Sequence, residues 1–222
     1  TFDNPHLPAE VLASLRANFE GTRRGLQELY GEILEDSDRF LWSLDTIAKN
    51  RVRNMPELVR IVVSIDPAVT AHAGSDETGI VVAGVDADGE GYILEDATMK
   101  GAPHEWASRA IQLYKVHSAD CIVAEVNNGG DLVESVLRGV DRNIAYKCVR
   151  ATRGKVLRAE PIAALYEKDR VHHVGIFDKL ENQMCGWQPG QPSPDRIDAL
   201  VWALTDLMLD PTPVVGPLSA YI

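Results

Sequence analysis

Four acidic residues stand where their types and spacing can support chemistry. Asp66 closes the β-branched run "RIVVSID", Glu125 closes the apolar run "CIVAE", and "SPDRIDALVWALTDLML" carries Asp195 and Asp198 at positions i and i+3. Brought together, such carboxylates repel: two unit charges ~4 Å apart cost about 4 kcal/mol at an effective dielectric of roughly 20. A divalent cation relieves that repulsion, and a ligand set made only of hard oxygens selects magnesium or manganese over zinc. Two such ions about 4 Å apart can activate water and stabilise the leaving oxygen of a phosphodiester. Each acid also has a plainer reading. Asp66 before Pro67, and Glu125 before Asn-Asn-Gly-Gly, suit turns, while Asp195 after "QPSP" suits a helix N-cap with Asp198 as partner of the helix dipole.

For these acids to meet, the elements that carry them must share an edge. "RIVVSI" reads as a buried strand, and "TGIVVAGV" and "GYILEDATM" flank "DADGEG", whose Asp-Gly step signals a hairpin. "HEWASRAIQLYKVH" then reads as helix, "CIVAEV" as buried strand, "GDLVESVLRGV" as helix and "NIAYKCV" as strand. Antiparallel strands followed by alternating helix and strand predict an α/β fold, a mixed sheet with helices on both faces. If the strands of Asp66 and Glu125 run parallel and adjacent, both acids project at one carboxyl edge, where open α/β sheets place their sites. In the last segment Ile197, Leu200, Val201, Leu204, Leu207 and Met208 form one apolar face, so Asp195 and Asp198 open a helix packed on the sheet. Residues 1 to 57 read as a helical segment, with "PAEVLASLRANFEG" and "RRGLQELYGEIL" at helical spacing and the basic "KNRVRNMPEL" as linker into a unit spanning 58 to 222.

The net charge of -11 excludes a broadly basic binder of the histone kind. It leaves room for an enzyme that gathers acid around metal while a local basic strip meets phosphate. The densest strip is "KCVRATRGKVLR", with Lys147, Arg150, Arg153, Lys155 and Arg158. Cys121, Cys148 and Cys185 fit neither a disulfide framework nor a zinc motif, and the neighbours His172 and His173 lack the i, i+4 spacing of a helical zinc site. No apolar stretch approaches the ~20 residues that cross a bilayer.

In the order "SIDPAVT…DETGIVVAG", "IVAEVNNGG", "RATRGKVLRAEPIAALYEKDRVHHVG", "LENQM" and "PDRIDALVWAL", the span from Arg60 to about Leu209 resembles the nuclease domain of the large terminase subunit of tailed bacteriophages, which has an RNase H-like fold. Phe19 to Leu34 resembles the segment that joins the packaging ATPase to that nuclease. The resemblance implies an endonuclease that cuts double-stranded DNA with little sequence specificity during viral genome packaging. It implies Asp66, Glu125 and Asp198 as catalytic metal ligands, with Asp66 bridging two Mg2+ or Mn2+ ions and the other two holding one each. Asp195 would be a fourth acid, as in related resolvases, and Asp76 falls where some terminases carry an accessory one. Arg150, Arg153, Lys155 and Arg158 would grip phosphates without reading bases, and Asn127 and Asn128 with the following glycines would let the DNA backbone approach. A simple turn is equally consistent with the Asn-Asn-Gly-Gly stretch, and a solvated loop with the basic one. The implied partners are double-stranded DNA, the ATPase domain of the same full-length chain, the portal protein and the small terminase subunit, in the cytoplasm of an infected bacterial host.

Three rivals share features with this reading. A Holliday-junction resolvase uses the same fold and acids, but the helical N-terminal segment and "LYEKDRVHHVG" favour terminase. A sugar kinase or actin-like ATPase needs glycines in its first hairpin, where "DPAVT" offers Pro and Ala. An inactive module docking on portal or small terminase has no use for the repulsion among three intact acids. No G-x-x-x-x-G-K motif followed by Ser or Thr occurs, so the expectation is a nuclease domain on its own.

Overall fold

The structure, a computed structural model, describes residues 40–67, 77–126, 130–152, 154–191 and 194–210, with single positions at 8, 10, 11 and 13. Asp76, Asn127, Asn128, Arg153 and, within the N-terminal helical segment, residues 1–39 apart from those single positions lie outside the described residues.

Six strands form one sheet: β1 (Arg60–Asp66), β2 (Gly79–Val85), β3 (Gly91–Asp96), β4 (Cys121–Glu125), β5 (Tyr146–Val149) and β6 (Val171–His173), in the spatial order β5-β4-β1-β2-β3-β6. β1, β2 and β3 are antiparallel neighbours, whereas β4 lies parallel to β1, β5 to β4 and β6 to β3. β2 and β4 are buried along their whole length, which is why they are written as continuous apolar runs rather than alternating ones. The hairpin between β2 and β3 turns at Gly89, whose φ of 79° suits the residue that has no Cβ. Asp86 ties that turn by accepting from the backbone N–H groups of Asp88 and Glu90 and from the Tyr92 hydroxyl.

Strand parity divides the core in two. Val63, Ile65, Ile80, Val82, Ile122 and Ala124 face α2 (Pro103–Val116) and α3 (Gly130–Val140), through residues such as Trp106, Ala110 and Leu137. Val62, Val81, Ala83, Ile93, Cys121 and Val123 face α1 (Leu44–Lys49), α4 (Lys155–Glu167), α5 (Asp178–Gly186) and α6 (Asp195–Leu204). The mixed sheet with helices on both faces expected from the sequence is the observed architecture. Trp42 and Ile47 belong to the second core, so the stretch from Leu41 to Lys49, placed in the helical segment on sequence grounds, packs into that core beside α4 and α5, with Trp42 against Tyr166 and Trp187.

α6 is the central helix of its layer, with every residue from Arg196 to Leu204 buried. It continues into a π-turn at Thr205–Leu209, which brings Asp206 under the start of β1. There its carboxylate accepts from Arg60 Nη2 and Lys147 Nζ at 2.5 Å each. Lys147, read as part of the basic strip, is thus spent inside the fold. The neighbouring histidines are structural as well: His173 bridges Glu181 and the fully buried Tyr166 hydroxyl, and His172 stacks on Tyr92.

Candidate active site

β1 and β4 pair in parallel up to Ile65 with Ala124, and Asp66 and Glu125 are the next residue on each strand. By strand parity both project to the face where Val62 and Val123 meet α6. The adjacency on which the sequence reading depended is therefore present. Across β1, Asp66 pairs with Gly79 of β2. Gly79 is required there, because a Cβ on it would stand 2.1 Å from the carbonyl oxygen of Asp195. The missing side chain lets the first turn of α6 lie against the strand next to Asp66.

That turn carries Asp195 and Asp198. α6 begins at Asp195 after Pro194, with no side-chain cap hydrogen bond, so the N-cap role expected of Asp195 is not the observed one. Pro194 already has the extended backbone of a cap residue, which leaves Asp195 as the first helical residue. Buried Arg196 holds the turn in place by donating to Asp96 at 3.0 Å and to both carboxylate oxygens of Glu77. Asp198 is 2 % exposed and Glu125 6 %, which puts both among the few buried charged groups of the protein.

Two cations of α4 meet these acids. Lys155 Nζ donates to Asp198 Oδ2. Arg158 donates to Glu125 Oε2 at 3.3 Å and stands 3.8 Å from Asp198 Oδ1. Both were expected on phosphate, yet they stand one turn apart on α4 and turn toward the acids, Lys155 doing so while still exposed, as Arg150 in the basic loop also is. Asp66, Glu125, Asp198 and Asp195 stand against two cations, so full ionisation would leave negative charge in excess. Asp66 shows the consequence: burial, then the charges of Asp198 and Glu125, push its carboxyl up to about 8, with Lys155 working in the opposite direction. Burial alone would lower the Lys155 ammonium, but its bond to Asp198 and the nearby acids outweigh that and raise it.

Trp202 also belongs to the site and was not singled out from the sequence. Its indole N–H donates to Glu125 Oε2 at 2.6 Å, and the Arg158 guanidinium lies 4.5 Å from its ring centroid. The available signal was spacing: Asp195, Asp198 and Trp202 follow at i, i+3 and i+7, one stripe of one helix.

Among the described residues no group of three or more His, Cys, Asp and Glu stands ready to hold a metal ion as it is arranged. Lys155 occupies an Asp198 oxygen that a cation would need, and Arg158 stands on Glu125 Oε2. The donor chemistry nevertheless fits a divalent cation, being oxygen-only, desolvated and in negative excess.

Residues 63–207 match the family described as Terminase RNaseH-like domain. No curated protein matches the chain. Among solved structures, the large terminase nuclease from thermophilic phage G20c with bound magnesium aligns with a TM-score of 0.54 at 17 % identity, over 76 % of this chain and 97 % of its own. A mutant nuclease domain of the large terminase subunit gp2 of bacterial virus Sf6, with manganese and beta-thujaplicinol, aligns with a TM-score of 0.53 at 11 % identity, over 74 % and 98 %. The large terminase of another thermophilic bacteriophage, in complex with ADP, aligns with a TM-score of 0.62 at 14 % identity, over 97 % of this chain but 54 % of its own. At these identities the likeness shows the fold.

Proposed function

The chain belongs to the terminase RNase H-like domain family, and from that premise we propose that it is a metal-dependent endonuclease that cuts double-stranded DNA during viral genome packaging. The observation that carries the reading is the convergence of Asp66, Glu125 and Asp198, from two strands and a helix, on one face at one edge of the sheet. Asp66, Glu125 and Asp198 would hold the Mg2+ or Mn2+ ions, two in all, with Asp195 beside them. The relatives that contain magnesium and manganese support that choice. When bound, the ions supply an activated water and charge stabilisation at the leaving oxygen.

The chain's own residues prepare that chemistry. Asp66 holds a proton in the metal-free site because its ionised form is desolvated and repelled, and it gives the proton up when positive charge arrives. Lys155 and Arg158 keep the acids compensated until then, and Lys155 can turn to a phosphate oxygen as Asp198 is taken, while Arg158 stays on the Glu125 oxygen that is not. Arg150 is exposed and suited to the same backbone, so contact is made without base reading. In the full assembly the DNA would be fed by an ATPase domain, as the longer relative in complex with ADP suggests, with portal and small terminase as further partners in the cytoplasm of an infected bacterium.

Plasmid cleavage tests the reading. Nicking and linearisation with manganese or magnesium, with little sequence preference, are expected. Cleavage that persists in EDTA would overturn the metal reading, and cleavage confined to four-way junctions would make the protein a resolvase.

A further inference from the structure

Glu125 is held unlike the other acids, and the manner of holding has a consequence for how it can bind a cation. Both hydrogen bonds it accepts, from Trp202 Nε1 at 2.6 Å and from Arg158 Nη1 at 3.3 Å, fall on the same oxygen, Oε2. Among the described residues none donates to Oε1. The indole cannot easily rotate away, because it is 7 % exposed and the Arg158 guanidinium lies 4.5 Å from its centroid.

We propose that Trp202 is a positioning residue for the metal site, which pins Glu125 by Oε2 so that Oε1 alone is presented as a ligand. This inference rests on the reading of Glu125 as a metal ligand. A neutral donor suits the task. An indole N–H fixes the rotation of a carboxylate without a charge of its own, so it does not compete with the cation as an ammonium would. Trp202 also lies one helical turn beyond Asp198 on α6. The bond therefore ties the β4 acid to the helix that carries the other one, and the separation of Glu125 from Asp198 is set by a single rigid element.

The rival account makes Trp202 an ordinary core residue whose N–H takes the nearest acceptor. Titration of Mn2+ into the metal-free protein by calorimetry, with melting in EDTA alongside, separates the two. Trp202→Phe keeps an aromatic ring under Arg158 and removes the donor. It is expected to weaken Mn2+ binding about 10-fold or more, as loss of a supporting hydrogen bond commonly does, while still melting cooperatively in EDTA. Wild-type Mn2+ affinity in Trp202→Phe, beside lost affinity in Glu125→Gln, overturns the positioning role and leaves the metal reading standing. No Mn2+ binding by the unmodified protein removes both. If Trp202→Phe does not fold, the indole N–H resonance of Trp202 in the unmodified 15N-labelled protein decides. A shift that saturates with Mg2+ supports the role, and an unmoved signal at saturating Mg2+ overturns it.

Discussion

Gly79 and Asp195 are in contact through backbone alone: a Cβ on the glycine would lie 2.1 Å from the Asp195 carbonyl oxygen and 2.6 Å from its carbon. Gly79 is also the ladder partner of Asp66. One small residue thus sets how closely the acid-bearing turn of α6 approaches the acid of β1.

Gly79→Ala is therefore expected to push α6 off β2. Overpacking of this kind costs roughly 1–3 kcal/mol, and cleavage should fall by more than stability explains, because the acids separate. Thermal melting and plasmid cleavage on the same preparation check this. Wild-type cleavage by the variant would show that the helix accommodates the methyl group without moving Asp195.

The raised carboxyl of Asp66 makes a statement about pH. In an unfolded chain an Asp titrates near ~3.9, whereas in the folded metal-free protein Asp66 titrates at about 8. The folded state holds a proton that the unfolded state has released, so the contribution of Asp66 is complete below the unfolded value and declines as pH rises toward 8. Stability in EDTA should fall between pH 5 and 8 by up to about 1.4 kcal/mol per pH unit for this one proton. Asp66→Asn should flatten that slope. Mn2+ affinity should rise across the same window, since binding must displace the proton. Melting curves in EDTA and calorimetric titrations at several pH values provide both readings.

Asp198 and Asp195 should separate cleanly. Asp198→Asn is expected to abolish cleavage and to leave melting in EDTA nearly unchanged: it removes repulsion with Asp66 but also the pairing with Lys155, whose half-exposed side chain makes that pair a weak one. Asp195→Asn loses no cap, since none is made, and costs about 0.5 kcal/mol through the helix dipole. Its cleavage should drop only in part. A dead Asp195 variant with an active Asp198 variant would reverse the assignment.

Two basic residues of one stretch should behave in opposite ways. Lys147 is committed to buried Asp206, so Lys147→Met should lower the melting temperature and leave the salt dependence of DNA binding as it was. Arg150 is exposed, and Arg150→Ala should leave melting alone while reducing the slope of log K against log salt by about 1. Asp206→Asn strands two cations beneath the sheet and should cost ~3–5 kcal/mol. DNA binding measured across a salt series, with melting of each variant, distinguishes these outcomes.

Legible in the residue pattern were the α/β order, the strand ends at which Asp66 and Glu125 stand, and the stripe of α6 that carries Asp195 and Asp198, whereas the parallel adjacency that brings the two strand ends together came from the tertiary pairing. The first three follow from local periodicity, 2 along a strand and 3.6 along a helix, which a residue pattern records directly. The three-residue strand β6 and the helix α5 were not read as elements, because a run as short as Val171–His173 has too few alternations to declare itself. Which basic residues turn inward was not legible in the sequence and follows from packing. Lys155 reaches an acid 43 positions away, Lys147 one 59 away, and Trp202 an acid 77 positions back. A charge finds its partner through space, and the spacing between elements that are distant in the chain is set by how their apolar faces pack, not by any pattern within either one.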